Sequence, residues 1–152
     1  MNDKELKTAL LNHCKEVVEN RFDKIKQTIA GIEESLVEES KSSAGDKHET
    51  GRAMLHIDRE NAGKQLLEIE KLQQLVRKID VNSKSDYARL GSLVYTNQGT
   101  YFLSISIGAV TVGKSIYMCV ALNAPIGQIL SGKKKNDSFI FNEKEFTVKS
   151  VA

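Results

Sequence analysis

Glu38-Glu39-Ser40-Lys41-Ser42-Ser43-Ala44-Gly45-Asp46-Lys47-His48-Glu49-Thr50-Gly51-Arg52 decides the fold of this 152-residue chain. It is a polar, small-residue interruption between two segments of seven-residue apolar periodicity. It also carries two carboxylates three residues apart, Asp46 and Glu49. The pattern predicts the tip of an antiparallel helical hairpin.

Upstream, Leu11, Val18, Ile25 and Ile32 recur every seven residues, and Phe22, Ile29 and Leu36 form a second series offset by four. Together they make the a/d seam of a coiled coil. Lys15 interrupts the second series, its stem able to cover apolar surface while its charge reaches water. His13 and Cys14 are sequence neighbours about 100° apart on a helix, so they are structural and not a metal pair. Downstream, Leu55, Ala62, Ile69 and Val76 repeat by seven, with Leu72 and Ile79 in a partner series that turns polar at Asp58 and Gln65. That polarity, with Gly63, predicts looser pairing toward the tip, since glycine costs about 1 kcal/mol against alanine in a helix. About thirty residues per arm at 1.5 Å each give a reach of roughly 45 Å. A small partner domain cannot cover that surface, so much of the hairpin is expected in solvent.

Past residue 80 the period changes. Residues 81–86 are polar and patternless, a linker between a coiled-coil hairpin at 1–80 and a β domain at 87–152. Strands are expected at Ser92–Thr96, Tyr101–Ile107, a short one between Gly108 and Gly113, Ser115–Leu122, Ser138–Phe141 and Phe146–Val151. Turns fall at Asn97-Gln98-Gly99 and across Asn142–Glu145. The fold class is therefore α+β, a helical hairpin followed by a small, mainly antiparallel β domain. Pro125 can open a short helix and Gly132 can close it.

Net charge is +2, divided as −2 over residues 1–80 and +4 over 81–152, so bulk charge names no polyanionic partner. Lys133-Lys134-Lys135 follows a helix end and reads as a solvated cluster complementing the helix dipole. Cys14 and Cys119 are too few and too far apart for a disulfide framework or a zinc ribbon, and read as inert thiols in a reducing cytoplasm. The amino-terminal residues form no signal peptide, and no apolar run approaches a membrane span. Gly108-Ala109-Val110-Thr111-Val112-Gly113-Lys114-Ser115 fits the P-loop spacing, but strand-like residues follow where a phosphate-facing helix is required, so no nucleotide cofactor is expected.

Two readings of Asp46 and Glu49 stand side by side. Asp-x-x-Glu ahead of a periodic segment is a capping-box variant. Two carboxylates at a tip are also hard oxygen ligands for Mg²⁺. Gly45-Asp46-Lys47-His48-Glu49-Thr50-Gly51 resembles the tip of the Gre-type transcript-cleavage factors of bacterial RNA polymerase, which carry Gly-Asp-x-x-Glu-Asn-Ala there. Thr50 and Gly51 stand in place of Asn and Ala, and Arg52-Ala53-Met54 lacks the aromatic residue of the family. Residues Asn123 to Asp137 resemble the family's carboxy-terminal pattern Ser-Pro-[Ile/Leu]-x-x-Ala-Leu-[Ile/Leu]-Gly-Lys-x-x-Gly-Asp. The match is Ala124-Pro125-Ile126, Ile129-Leu130, Gly132-Lys133 and Asp137, with the pattern's Ser, Ala and second Gly replaced.

The resemblance implies a β domain like that of FK506-binding proteins, without isomerase activity, docking on polymerase through Pro125, Ile126, Leu130, Gly132 and Lys133. It implies that the hairpin enters the secondary channel, where Asp46 and Glu49 help hold a Mg²⁺ shared with the polymerase active site. Gly45, Lys47, Thr50 and Arg52 would make the other tip contacts. The protein would have no cofactor in isolation, would touch the nascent RNA 3′ end only indirectly, and would stimulate cleavage of backtracked transcripts without being a nuclease alone. Two alternatives are a non-cleaving occupant of the same channel and a stand-alone acyl-transfer enzyme. The last would need a cysteine nucleophile beside histidines, and His13, His48 and His56 all lie in the helical half.

Overall fold

A computed structural model describes residues 1–41 and 45–152, the side chains of residues 45–48 excepted. Its elements run α1 (Asp3–Lys41), α2 (Gly45–Lys78), β1 (Leu93–Thr96), β2 (Gly99–Ser104), β3 (Gly108–Val112), β4 (Ser115–Ala121), α3 (Pro125–Leu130), β5 (Ser138–Phe141) and β6 (Lys144–Val151). The α+β class expected from sequence is the one observed, two long helices followed by a sheet. Packing divides the chain into two compact units, Val18–Gln73 and the combination of Met1–Val17 with Gln74–Ala152. The division expected near residues 80 and 86 follows the change of secondary structure, whereas the packing units cut across both helices.

In the unit Val18–Gln73, α1 and α2 run antiparallel along one seam. Ile25, Ile29 and Ala62 are buried together, with Ile32, Leu66 and Ile69 packed against them. Arg59 Nε donates to Glu33 Oε1 at 3.2 Å along the same edge. The α1 series is the predicted one. The α2 partner series holds at its base, where Leu72 is half-buried and Ile79 buried, but not further along: Asp58 and Gln65 are exposed, and Arg59 and Leu66 are half-buried in their place. The physical reason is the alternating three- and four-residue step of an α-helix. From Leu55 the inward path goes on to Arg59 and then Ala62, and the equally allowed three-residue step to Asp58 would have buried a carboxylate. Burial falls toward the turn, where Leu36 and Leu55 are only half-buried, as the looser pairing predicted.

In the other unit the six strands lie in the order β3-β4-β2-β1-β6-β5. All neighbours are antiparallel except β2 and β4, which pair in parallel from Thr100↔Tyr117 to Ser104↔Ala121. The expected mainly antiparallel sheet is thus the one observed, with a single parallel pair at β2–β4. After β2 the chain swings out to make the edge strand β3, and β4 returns between them, so residues 105–114 serve as the crossover that a parallel pair requires. The β5–β6 turn is tighter than predicted: Asn142 and Glu143 have φ of 51° and 66°, the left-handed pair of a two-residue hairpin.

Both faces of this sheet are covered. One holds Val94, Leu103, Val120 and Val148 under Ala88 and Leu130, with Ile126 and Phe139 packed alongside. The other holds Leu93, Phe102 and Cys119, all fully buried. Here Cys14 Sγ of α1 lies 3.6 Å from Ser104 Oγ and Tyr95 Oη donates to Asp3 Oδ1 at 2.6 Å, which puts the first turns of α1 on this face. Those turns bury Leu6, Lys7, Leu10, Leu11 and Cys14, a stripe wider than a coiled-coil seam, because a helix packed on a sheet meets a broad surface.

The expected linker is tied down. Asp80 Oδ1 accepts from the Asn82 amide at 2.9 Å, Lys7 Nζ donates to the Ser83 carbonyl at 3.2 Å, and Arg89 Nη2 donates to Ser83 Oγ and to the Lys84 carbonyl.

Candidate functional site

The acidic pair lies where α2 begins. The helix runs from Gly45, two residues before the first helical position that a cap at Asp46 requires, so the backbone of both acidic residues is already helical. Glu49 and Thr50 are exposed and Arg52 is half-buried. Ser42, Ser43 and Ala44 lie outside the described residues, as do the side chains of Gly45, Asp46, Lys47 and His48, so the expected roles of Gly45, Asp46 and Lys47 fall there too. Beside the pair, a Cβ built on Gly51 would stand 3.4 Å from the Glu39 carboxylate, so α1 brings a further acid against the first turns of α2. Negative charge from Glu39 is thus brought beside the first turns of α2, where the macrodipole favours it.

An exposed carboxylate such as Glu49 is chemically suited to a hard cation but cannot form a site alone. Among the described residues no group of three or more His, Cys, Asp or Glu is placed to hold a metal ion.

The carboxy-terminal motif forms α3 and its flanks. Pro125 occupies the first turn behind Ala124, whose φ of −68° and ψ of 153° are extended, as a residue preceding proline must be. Gly127 packs so closely on the preceding strand that a Cβ there would stand 1.9 Å from the Ala121 carbonyl oxygen. Gly132, at φ 84°, turns the chain out of the helix and donates its amide to the Ala88 carbonyl at 2.7 Å. Pro125 therefore opens the helix and Gly132 closes it, as predicted.

The five docking residues do not present one surface. Leu130 is fully buried and anchors α3 in the core, so it cannot touch a partner directly. Pro125 and Gly132 are exposed, Ile126 and Lys133 half-buried, and Lys133 Nζ stands 5.9 Å from the centroid of the Phe139 ring. Lys134 is committed through its backbone amide to Asp137 Oδ2 at 2.8 Å. The acidic pair and the α3 segment belong to different compact units.

The P-loop-like spacing covers β3, a turn at Gly113 with φ 63°, and β4, so a strand follows Lys114 where a phosphate site would need a helix. His13 and His56 are exposed, while Cys119 is buried, with Cys14 and Ser104 as its polar neighbours. No helix among the described residues is long and apolar enough to cross a membrane.

Sequence reasoning missed three groups. Lys7 is almost wholly buried and its ammonium is held below the usual lysine range, first by desolvation and against the pull of Asp3. Tyr95 is pushed up by burial and by its hydrogen bond to Asp3. The third is the meeting of Cys14 and Cys119, 105 positions apart in sequence. Only the Leu10-Leu11 doublet hinted that these turns carry a wider buried stripe than the heptads require.

No family model and no curated protein matches the chain. Among solved structures, that of the transcription factor Gfh1 aligns over 98% of this chain and 92% of that one, at 14% identity and a TM-score of 0.34. Superposition at that level carries no conclusion about fold or function.

Proposed function

We propose that this protein is an accessory factor of RNA polymerase that enters the secondary channel with its helical hairpin and stimulates cleavage of backtracked transcripts. The observation that carries the proposal is the Gly-Asp-x-x-Glu sequence at the first turn of α2, immediately after the reversal of an antiparallel helix pair with Glu49 exposed. The β module, of the FK506-binding type in this proposal, docks on polymerase through the exposed parts of the α3 segment, Pro125, Gly132 and the half-buried Ile126 and Lys133. Asp46 and Glu49 add carboxylate oxygens to a Mg²⁺ of the polymerase active site, where such an ion activates water for phosphoryl transfer. Gly45, Lys47, Thr50 and Arg52 set the position of those oxygens. The catalytic centre belongs to polymerase, so the chain alone is not a nuclease.

Stalled, backtracked elongation complexes test this directly. Added protein should release short 3′ RNA fragments, and Asp46→Ala with Glu49→Ala should abolish release while polymerase binding persists. Undiminished cleavage by the double variant would remove the assigned role.

One observation favours a second reading, a non-cleaving occupant of the channel. Gly51 stands where the motif has alanine, and the Glu39 carboxylate leans over that position. The second reading predicts polymerase binding with no RNA release by the unaltered protein.

A further inference from the structure

Cys14 and Cys119 are each 0% exposed and both are free thiols. Cys14 comes from α1 and Cys119 from β4, and the two thiols meet on the same buried face of the sheet, each acting on the titration of the other. Cys14 Sγ also lies 3.6 Å from Ser104 Oγ. Across the sheet, Cys119 is in register with Phe102 on one side and with Gly108 on the other, and Gly108 brings no side chain to crowd the sulfur. Both residues belong to the same compact unit, so their meeting is part of its packing.

Two sulfurs held together by separate elements are a different chemical object from two isolated buried thiols. We propose that Cys14 and Cys119 form a reversible dithiol–disulfide site, oxidised by hydrogen peroxide, that covalently staples the first helix to the sheet. It stands apart from the polymerase reading and uses none of its residues.

The roles of the two sulfurs differ. The Cys119 thiol donates toward Cys14, which lowers the Cys14 pKa against the opposing effect of burial, while the same contact raises that of Cys119. Cys14, carried by the helix that can lift from the sheet, is the nucleophile in this proposal and Cys119 the resolving thiol. The Cys14 thiolate attacks one peroxide oxygen, an S–O bond forms, the O–O bond breaks, and the leaving oxygen departs as water after taking up a proton. The Cys119 sulfur then attacks the Cys14 sulfenic acid. The S–S bond forms, the S–O bond breaks, and the second water leaves with the Cys119 proton. Two thiols and one peroxide give one disulfide and two waters, the sulfurs losing two electrons and the peroxide gaining them. Because both sulfurs are buried, peroxide reaches them when the first turns of α1 lift from the sheet, and the staple then prevents that opening.

The test is peroxide treatment of the reduced full-length chain, then alkylation in denaturant and peptide mapping. The expected product is a monomer lighter by two hydrogen atoms that takes up no alkyl group. It yields one cross-linked Cys14–Cys119 peptide pair, reverts with dithiothreitol, and unfolds at a higher urea midpoint than the reduced chain. In Cys119→Ser, Cys14 should accumulate as a sulfenic acid that dimedone traps. In Cys14→Ser, Cys119 should resist the same treatment. Full alkylation of both thiols after peroxide, cross-links only between chains, or sulfinic acid without disulfide in the unaltered protein would each overturn the proposal. The measurement on the unaltered chain needs no variant to fold.

Discussion

The two compact units solve opposite packing problems. The sheet unit buries apolar groups on both faces of β1, β2 and β4, and at the end of β2 Phe102, Leu103, Ser104 and Ile105 are consecutive and all buried. The hairpin unit buries one line of side chains, with Ile25, Ile29 and Ala62 at its centre and only partly covered neighbours. A two-sided core leaves little room for adjustment, because every added atom meets another layer. A single seam can shift, splay or hydrate at modest cost. The first unit should therefore respond sharply to small changes, and the second should respond weakly and locally.

The largest effect is expected at Gly127. Its Cβ would stand 1.9 Å from the Ala121 carbonyl oxygen and 2.9 Å from the Ala121 carbonyl carbon, which are backbone atoms of the sheet. Gly127→Ala must push α3 off its strand or distort β4, and overpacking of that kind costs about 3 kcal/mol or more. In a chain of this size that lowers Tm by roughly 6–12 °C. All four tyrosines, Tyr87, Tyr95, Tyr101 and Tyr117, lie in the sheet unit. Tyrosine fluorescence therefore reports that unit alone, while the far-ultraviolet helix signal is dominated by α1 and α2. The fluorescence transition should move by the full amount, and an unchanged transition would show that α3 does not need this close approach.

Ile29→Ala is the counterpart in the seam. Ile29 is buried against Ala62, and truncation should cost about 2 kcal/mol, the low end for such a change, because an open seam can close over the gap. The loss should appear in the helix signal with the tyrosine transition nearly unmoved. Equal shifts in both signals would mean that the two units unfold as one, and the contrast drawn between them would fail.

The same contrast explains which parts were legible in the sequence. Heptads at Val18, Ile25 and Ile32 specify their helix because a one-sided seam leaves a periodic signature. The strands were found for a related reason, their runs being short and bounded by turn residues such as Asn97-Gln98-Gly99. Their pairing was not legible: whether β3 or β4 lies beside β2 depends on contacts far apart in the chain, and the parallel β2–β4 pair leaves no local mark. The α2 partner series failed beyond its base because three- and four-residue steps from Leu55 are equally periodic, and only the facing helix chooses Leu66 over Gln65. At the candidate site, the sequence supplied the acidic pair and the Pro125–Gly132 helix. It could not show that Leu130 of that motif is consumed by the core, since burial on α3 depends on the sheet beneath it.

The smallest expected effect separates two glycines of the hairpin. Gly31 sits inside α1, is exposed, and a Cβ there would meet nothing within 4 Å. Gly31→Ala should raise stability by about 0.5–1 kcal/mol, since alanine loses less backbone freedom on forming helix. Gly63 sits inside α2, where the added Cβ would stand 3.2 Å from Arg59 Nη1, and the Arg59 side chain is the one paired with Glu33. Gly63→Ala gains the same backbone term but displaces a guanidinium from its partner. An ion pair this open to solvent is worth only about 0.2–1 kcal/mol, so the net change should be smaller than at Gly31 and should approach it when Glu33 is replaced by glutamine. Urea midpoints of the two variants, alone and with Glu33→Gln, measure this directly. A Gly63→Ala gain equal to that of Gly31→Ala in the presence of Glu33 would show that the cross-helix pair contributes nothing to holding the seam.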